Sequence, residues 1–149
     1  MKKTHYRDYA TEAFRFLARE GSSKAYAQRI YNEELERQKK YETISGGISA
    51  PVESAVIRAE SAVQQAIAAV RDLEAAEFAL YAVERMRCRG AADAVRMVYM
   101  ECPFEDIARG EIGRRTAKAC VQIPAGEKTV YRWLALARDL FAEKRGLRV

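Results

Sequence analysis

The sequence predicts an all-α protein: N-terminal helices packed on a long central helix, followed by a C-terminal helix-turn-helix module. Three observations carry that expectation. Ala, Glu, Arg and Leu are abundant, whereas only three Pro and eight Gly interrupt 149 residues. Apolar residues make up 49% of the chain, enough for a real core, and recur at helical spacing between the breaks. The charge is also unevenly placed. Residues 1–84 carry 12 Lys and Arg against 13 Asp and Glu, a net −1, whereas residues 85–149 carry 14 against 8, a net +6. A chain of this length makes one domain, or a helical body with a small appended module.

The first helix is expected from Thr4 to about Glu20, where Tyr6, Tyr9, Ala10, Ala13, Phe14 and Leu17 fall near 3.6-residue spacing and Gly21 ends the run. Ser22 and Ser23 can cap a second helix, from about Lys24 to Tyr41, with Tyr26, Ile30, Tyr31 and Leu35 as its apolar side. The stretch TISGGISAP, with two Gly, two Ser and Pro51, is the clearest loop in the chain.

From Val52 to about Arg89 there is neither Pro nor Gly. Val56, Val63 and Val70 recur every seven residues, as do Val52, Ala59, Ala66, Leu73 and Leu80, but the first series fails at Glu77 and Glu84. One long helix packed against the N-terminal pair fits this pattern. At 1.5 Å per residue it would be about 57 Å long, which also suits a homodimer through this helix or a projecting arm. Residues 1–89 are thus read as the body and residues 90–149 as the module.

Beyond Gly90 the elements shorten. A helix of about ten residues, AADAVRMVYM, ends where Pro103 forces a break; FEDIARGEIGRRTAKACVQI and the turn PAGE lead into GEKTVYRWLALARDLFAEKRGL. In that last helix Val130, Leu134, Ala137 and Phe141, flanked by Trp133 and Leu140, form one buried stripe. Lys128, Thr129, Tyr131 and Arg132 lie in its first turn and a half, where the second helix of a helix-turn-helix presents polar side chains to base edges. In the preceding helix Ala117, Ala119, Cys120 and Ile123 are small or apolar, which permits a close crossing. Arg114, Arg115 and Lys118, with Arg138, are the candidate phosphate contacts.

The segment KTVYRWLALARDLF resembles the recognition helix of sigma-factor region-four domains through Thr129, Val130, Leu134, Ala137, Arg138 and, one position late, Phe141. That resemblance covers about the last 60 residues. The ending LFAEKRGL and the N-terminal HYRDYATEAFRF further resemble small sigma-like regulators of prophages in Gram-positive bacteria, near the ArpU-type late-gene activators. The sequence departs from the family pattern between FEDIA, which looks like the usual first motif helix, and the recognition helix. The gap of about 18 residues is longer than usual. The preferred reading makes FEDIA the start of an additional helix and RRTAKACVQI the true first helix of the motif.

Other classes of function find less support. Cys88, Cys102 and Cys120 are widely spaced and His5 is alone, so neither a disulfide framework nor a metal site is expected, and the thiols are read as buried structural residues. The glycines of SGGISAP lack the Lys–Ser/Thr partner of a nucleotide loop, no nucleophile has a base beside it, and pairs such as Glu33–Glu34 and Glu105–Asp106 suit solvated helix faces. No enzyme activity and no cofactor are expected. Lacking a long apolar run or an apolar leader, the chain is expected to be cytoplasmic, with no membrane partner. The resulting expectation is a sequence-specific DNA-binding transcription regulator of phage or prophage type, with double-stranded DNA and, through the sigma-like domain, RNA polymerase as partners. Two alternatives stay open: a phage small terminase subunit binding DNA for packaging, and an all-helical protein-interaction module without DNA binding.

Overall fold

A computed structural model describes residues 5–45 and 52–147, with side chains described over 7–41 and 54–147. The protein is all-helical over these residues: α1 (His5–Glu20), α2 (Ser23–Ser45), α3 (Val52–Gln65), α4 (Ile67–Met86), α5 (Arg89–Val95) running on into one π-helical turn (Arg96–Met100), α6 (Glu111–Gln122) and α7 (Glu127–Arg145). Among the described helices none is long and apolar enough to cross a membrane. The loop expected around TISGGISAP falls mostly outside the described residues, as does the His5 side chain.

The punctuation of the N-terminal helices follows local chemistry. Gly21 takes a left-handed φ of 86° and its amide closes on the Leu17 carbonyl at 2.8 Å, ending α1. One residue later the Ser22 hydroxyl accepts the Ala25 amide at 3.0 Å, capping the start of α2. The stripe predicted for α1 is buried at Ala10, Ala13, Phe14 and Leu17.

The expected single helix over 52–89 is instead two. Ala66 leaves helical geometry at φ −91°, ψ 12°, and its amide is shared between the Ala62 and Val63 carbonyls. No Pro or Gly forces this break. The two segments serve different partners: α3 packs on α2, while α4 packs mainly on α7 and also on α1 and α5. A straight rod could not follow both. α2 and α3 run antiparallel, with Arg58 donating to Gln38 at 2.8 Å, and among the described side chains of α3 only Ala59 is fully buried.

The body and the module share one core. Phe14 and Leu17 of α1, Leu73 and Val83 of α4, Val95, Val98 and Tyr99 of the α5–π segment, Ala119 of α6, and Val130, Leu134 and Phe141 of α7 form a single buried cluster. Its centre is aromatic: Phe14 stacks on Tyr99 with centroids 5.9 Å apart and tilts against Phe141 at 6.2 Å. At the far end of α7 the Asp72 carboxylate accepts from the Tyr9 hydroxyl at 2.7 Å and from Arg145 Nε at 2.6 Å, tying α1, α4 and α7 together. Partial burial, then the Asp72 contact, raises the Tyr9 phenol above its ordinary value.

The connector 101–110 departs most from expectation. FEDIA forms no helix; residues 101–110 are bends, turns and irregular backbone, with Cys102 at a φ of 47°. Pro103 stops the α5–π segment and leaves its last carbonyls without amide partners. Arginines supply the missing donors. Arg15, buried on α1, donates to the carbonyls of Tyr99 at 3.1 Å, Cys102 at 3.0 Å and Glu105. Arg19 donates to Pro103 O at 3.1 Å. A cation at a helix C-terminus also meets the negative end of the helix dipole. The thiol expectation is corrected as well: Cys88 and Cys102 are exposed, and only Cys120 is half-buried. Cys88 lies at the α4–α5 corner and Cys102 in the connector, where helical periodicity gives no guide to burial.

Candidate nucleic-acid interface

Two helices joined by a tight turn form the C-terminal end of the chain. α6 turns its Arg115, Thr116 and Ala119 inward, with Ile123 following, and leaves Gly113, Arg114, Ala117, Lys118, Val121 and Gln122 exposed. Of the small residues expected to allow the helix crossing, Ala119 and Ile123 are buried and Cys120 half-buried, whereas Ala117 faces out. The turn is Ile123 to Gly126, and the Ile123 amide closes α6 on the Ala119 carbonyl at 2.8 Å. α7 then buries Val130, Leu134, Ala137 and Phe141, the predicted stripe, while Trp133 and Leu140 are half-buried. Its end is a Schellman motif: Gly146 has a φ of 76°, its amide reaches Glu143 O at 3.1 Å, and the Leu147 amide reaches Ala142 O at 2.8 Å.

The outward face of α7 is ordered by charge. Lys128, Tyr131 and Arg132 fall within about 100° of arc, opposite the buried stripe, and all three are exposed, Tyr131 at 44%. Thr129 sits on the shoulder and is half-buried. Farther along, the same face carries exposed Asp139 and Glu143. A polyanion approaching this face meets attraction in the first two turns and repulsion beyond them, although Glu127 at the first position reduces the local positive charge. Tyr131 also reaches back over α6: a Cβ built on Gly113 would stand 3.9 Å from its hydroxyl. The start of α7 and the first turn of α6 thus present one continuous surface.

Of the four residues expected to contact phosphates, two are exposed. Arg114 and Lys118 are 75% and 61% exposed, paired loosely with Glu111 at 3.4 Å and Glu101 at 3.9 Å. Surface pairs of this kind are worth ~0–1 kcal/mol, so a phosphate can replace the carboxylate at small cost. Arg115 and Arg138 must be reassigned. Arg115 is only 8% exposed and donates to the carbonyls of Val98 and Glu101 at 3.0 Å each, with Glu111 at 3.1 Å on its Nε. It performs from α6 the task Arg15 performs from α1. Arg138 donates to the Tyr99 hydroxyl, and its buried Nε has no acceptor. Neither guanidinium faces outward.

Sequence reasoning did not foresee the acids Glu101 and Glu111 as partners. The i+3 and i+4 spacing of Glu111 to Arg114 and Arg115 was a usable signal, whereas Glu101 reaches Lys118 only through the folded connector. Arg15 gave no signal, since it adjoins the apolar stripe of α1 like any solvated flanking charge. Among the described residues no group of His, Cys, Asp and Glu is arranged to hold a metal ion. No family model matches this chain, and no curated protein or solved structure matches it either.

Proposed function

We propose that this chain is a sequence-specific DNA-binding transcription regulator of phage or prophage type, which reads duplex DNA with the first two turns of α7. One observation carries the reading most: a tight α6–turn–α7 unit whose second helix is anchored by a buried stripe and offers Lys128, Tyr131 and Arg132 to solvent at its start. Arg132 suits bidentate recognition of a guanine edge, and Thr129 at the shoulder suits a base or sugar contact. Arg114 and Lys118 on α6 flank that head as phosphate contacts, and the net +6 of residues 85–149 supports a polyanionic partner. The resemblance of Thr129, Val130, Leu134 and Ala137 to the sigma region-four recognition helix points the same way and suggests RNA polymerase as a second partner.

Selection of bound sequences from a random duplex pool tests the proposal. An enriched motif, lost in Arg132→Ala, supports it; a pool that stays random at low salt overturns it. The α2–α3 hairpin favours keeping one second reading. It buries little against the rest of the chain, as an oligomerising arm would, so a small terminase subunit is the alternative use of the same DNA-binding unit. Native mass measurement separates the two: a many-membered ring indicates packaging, and a monomer or dimer indicates regulation.

A further inference from the structure

Three arginines crowd the corner where α4 gives way to α5: Arg85, Arg87 and Arg89, in the run RMRCRG. All are exposed. Arg85 lies over the Tyr81 ring, 5.9 Å from its centroid, and Arg87 reaches only the adjoining Met86 carbonyl, at 3.4 Å. Among the described residues neither Arg87 nor Arg89 forms an ion pair, unlike Arg29, Arg96, Arg114 and Lys118. The nearest acids in sequence are exposed Glu84, one residue before Arg85, and Asp93, four residues beyond Arg89, whose carboxylate pairs with Arg96.

The corner is held against the turn of the helix-turn-helix. A Cβ on Gly90 would come within 3.0 Å of Ile123 Cγ2, so the backbone at this point rests on the residue that closes α6. From Ile123 to Gly126, where α7 starts, is three residues, at most ~11 Å of chain. A major groove is ~12 Å wide, so side chains this far to the side of a helix seated in it meet the phosphates of its wall.

We infer that Arg87 and Arg89 grip the DNA backbone beside the groove that α7 enters, a second phosphate-contacting surface supplied by the body of the protein. The inference rests on the DNA-binding reading above. Planar, weakly hydrated guanidinium groups match phosphate oxygens in pairs. Because neither arginine gives up a carboxylate, each phosphate contact counts fully toward counterion release. Gly90 is what lets the corner stand so near the turn.

The test titrates the full chain onto a fluorescein-labelled random-sequence duplex across a salt series. With two contacts at ~0.9 each, the double variant R87Q/R89Q should flatten the slope of log K against log salt by about 1.8. It then loses about tenfold less affinity than the parent between 50 and 200 mM salt. R87K/R89K, which keeps the charge, should retain the parental slope, and the motif selected from a random pool should be the same for all three proteins. An unchanged slope in R87Q/R89Q overturns this inference and leaves the DNA-binding reading standing. Equal flattening by R87K/R89K also overturns it, since the loss would then follow packing and not charge. A parent that binds no duplex removes both.

Discussion

Arg114 and Arg115 are neighbours on one helix, yet they belong to two different regions of this molecule. Around residues 98–105, at the end of the π-helical turn and the start of the connector, Arg15 and Arg115 are buried and spend their donors on five backbone carbonyls. Along the outer surface of α6 and the start of α7, Arg114, Lys118, Lys128 and Arg132 stand in water, and the two on α6 hold only loose carboxylate partners. The residue type is the same and the task opposite. A guanidinium facing unpaired carbonyls replaces the amides a helix would have supplied; one facing solvent is available to a ligand. The lesson is that positive charge on a helix pair must be divided by burial before any of it is assigned to a ligand.

The largest effects should come from the inner region. Arg115→Ala leaves the Val98 and Glu101 carbonyls without donors and opens a void, and should cost about 2–4 kcal/mol of stability. Arg15→Ala should behave alike. Thermal or urea unfolding measures both, and a stable, fully folded Arg115→Ala protein with weakened DNA binding would move that residue back to the outer group. Next comes Arg132→Ala, which should leave the unfolding midpoint unchanged and remove ~1–3 kcal/mol of discrimination between best and mismatched duplexes. Competition binding reads this directly; equal losses on all sequences would make Arg132 a phosphate contact instead. Arg114→Ala is smaller still. It should reduce affinity alike for every duplex and lower the salt slope by less than the ~0.9 of an unpaired contact, since Arg114 gives up Glu111 to bind a phosphate, with no change in preferred sequence.

The smallest effect lies at the opposite end of α7, away from both groups of cations. The folded-state value of the Tyr9 phenol is raised, so its contribution is complete below the ordinary tyrosine value near 10 and is lost as pH rises through the folded value. Tyr9→Phe should therefore change stability slightly near neutral pH and make unfolding less sensitive to alkali. Tyr9 is 41% exposed, so solvent screening keeps the effect below about 1 kcal/mol.

Much of this architecture could be read from local pattern. Helical class, the end of α1 at Gly21, the cap from Ser22, and the α7 stripe of Val130, Leu134, Ala137 and Phe141 all depend on residues within a turn or two of each other. So does the grouping of Lys128, Tyr131 and Arg132 on one exposed arc. Periodicity carries this information because it fixes which side chains share a face.

What it could not fix was how a face meets the rest of the chain. Ala66 has no local reason to break a helix; the break follows from α3 serving α2 while α4 serves α7. FEDIA has the composition of a helix start, but arginines from α1 and α6 stabilise its neighbourhood as a turn, across separations of 14 to 90 residues. Arg115 and Arg138 read as surface cations because nothing within a turn of either reveals the carbonyls and the Tyr99 hydroxyl that meet them. The sequence by itself determined the helices, their caps and the exposed polar face of α7, since those are settled by short-range geometry. Tertiary structure alone decided which cations are structural and where the long helix divides, since both depend on partners that only the fold brings near.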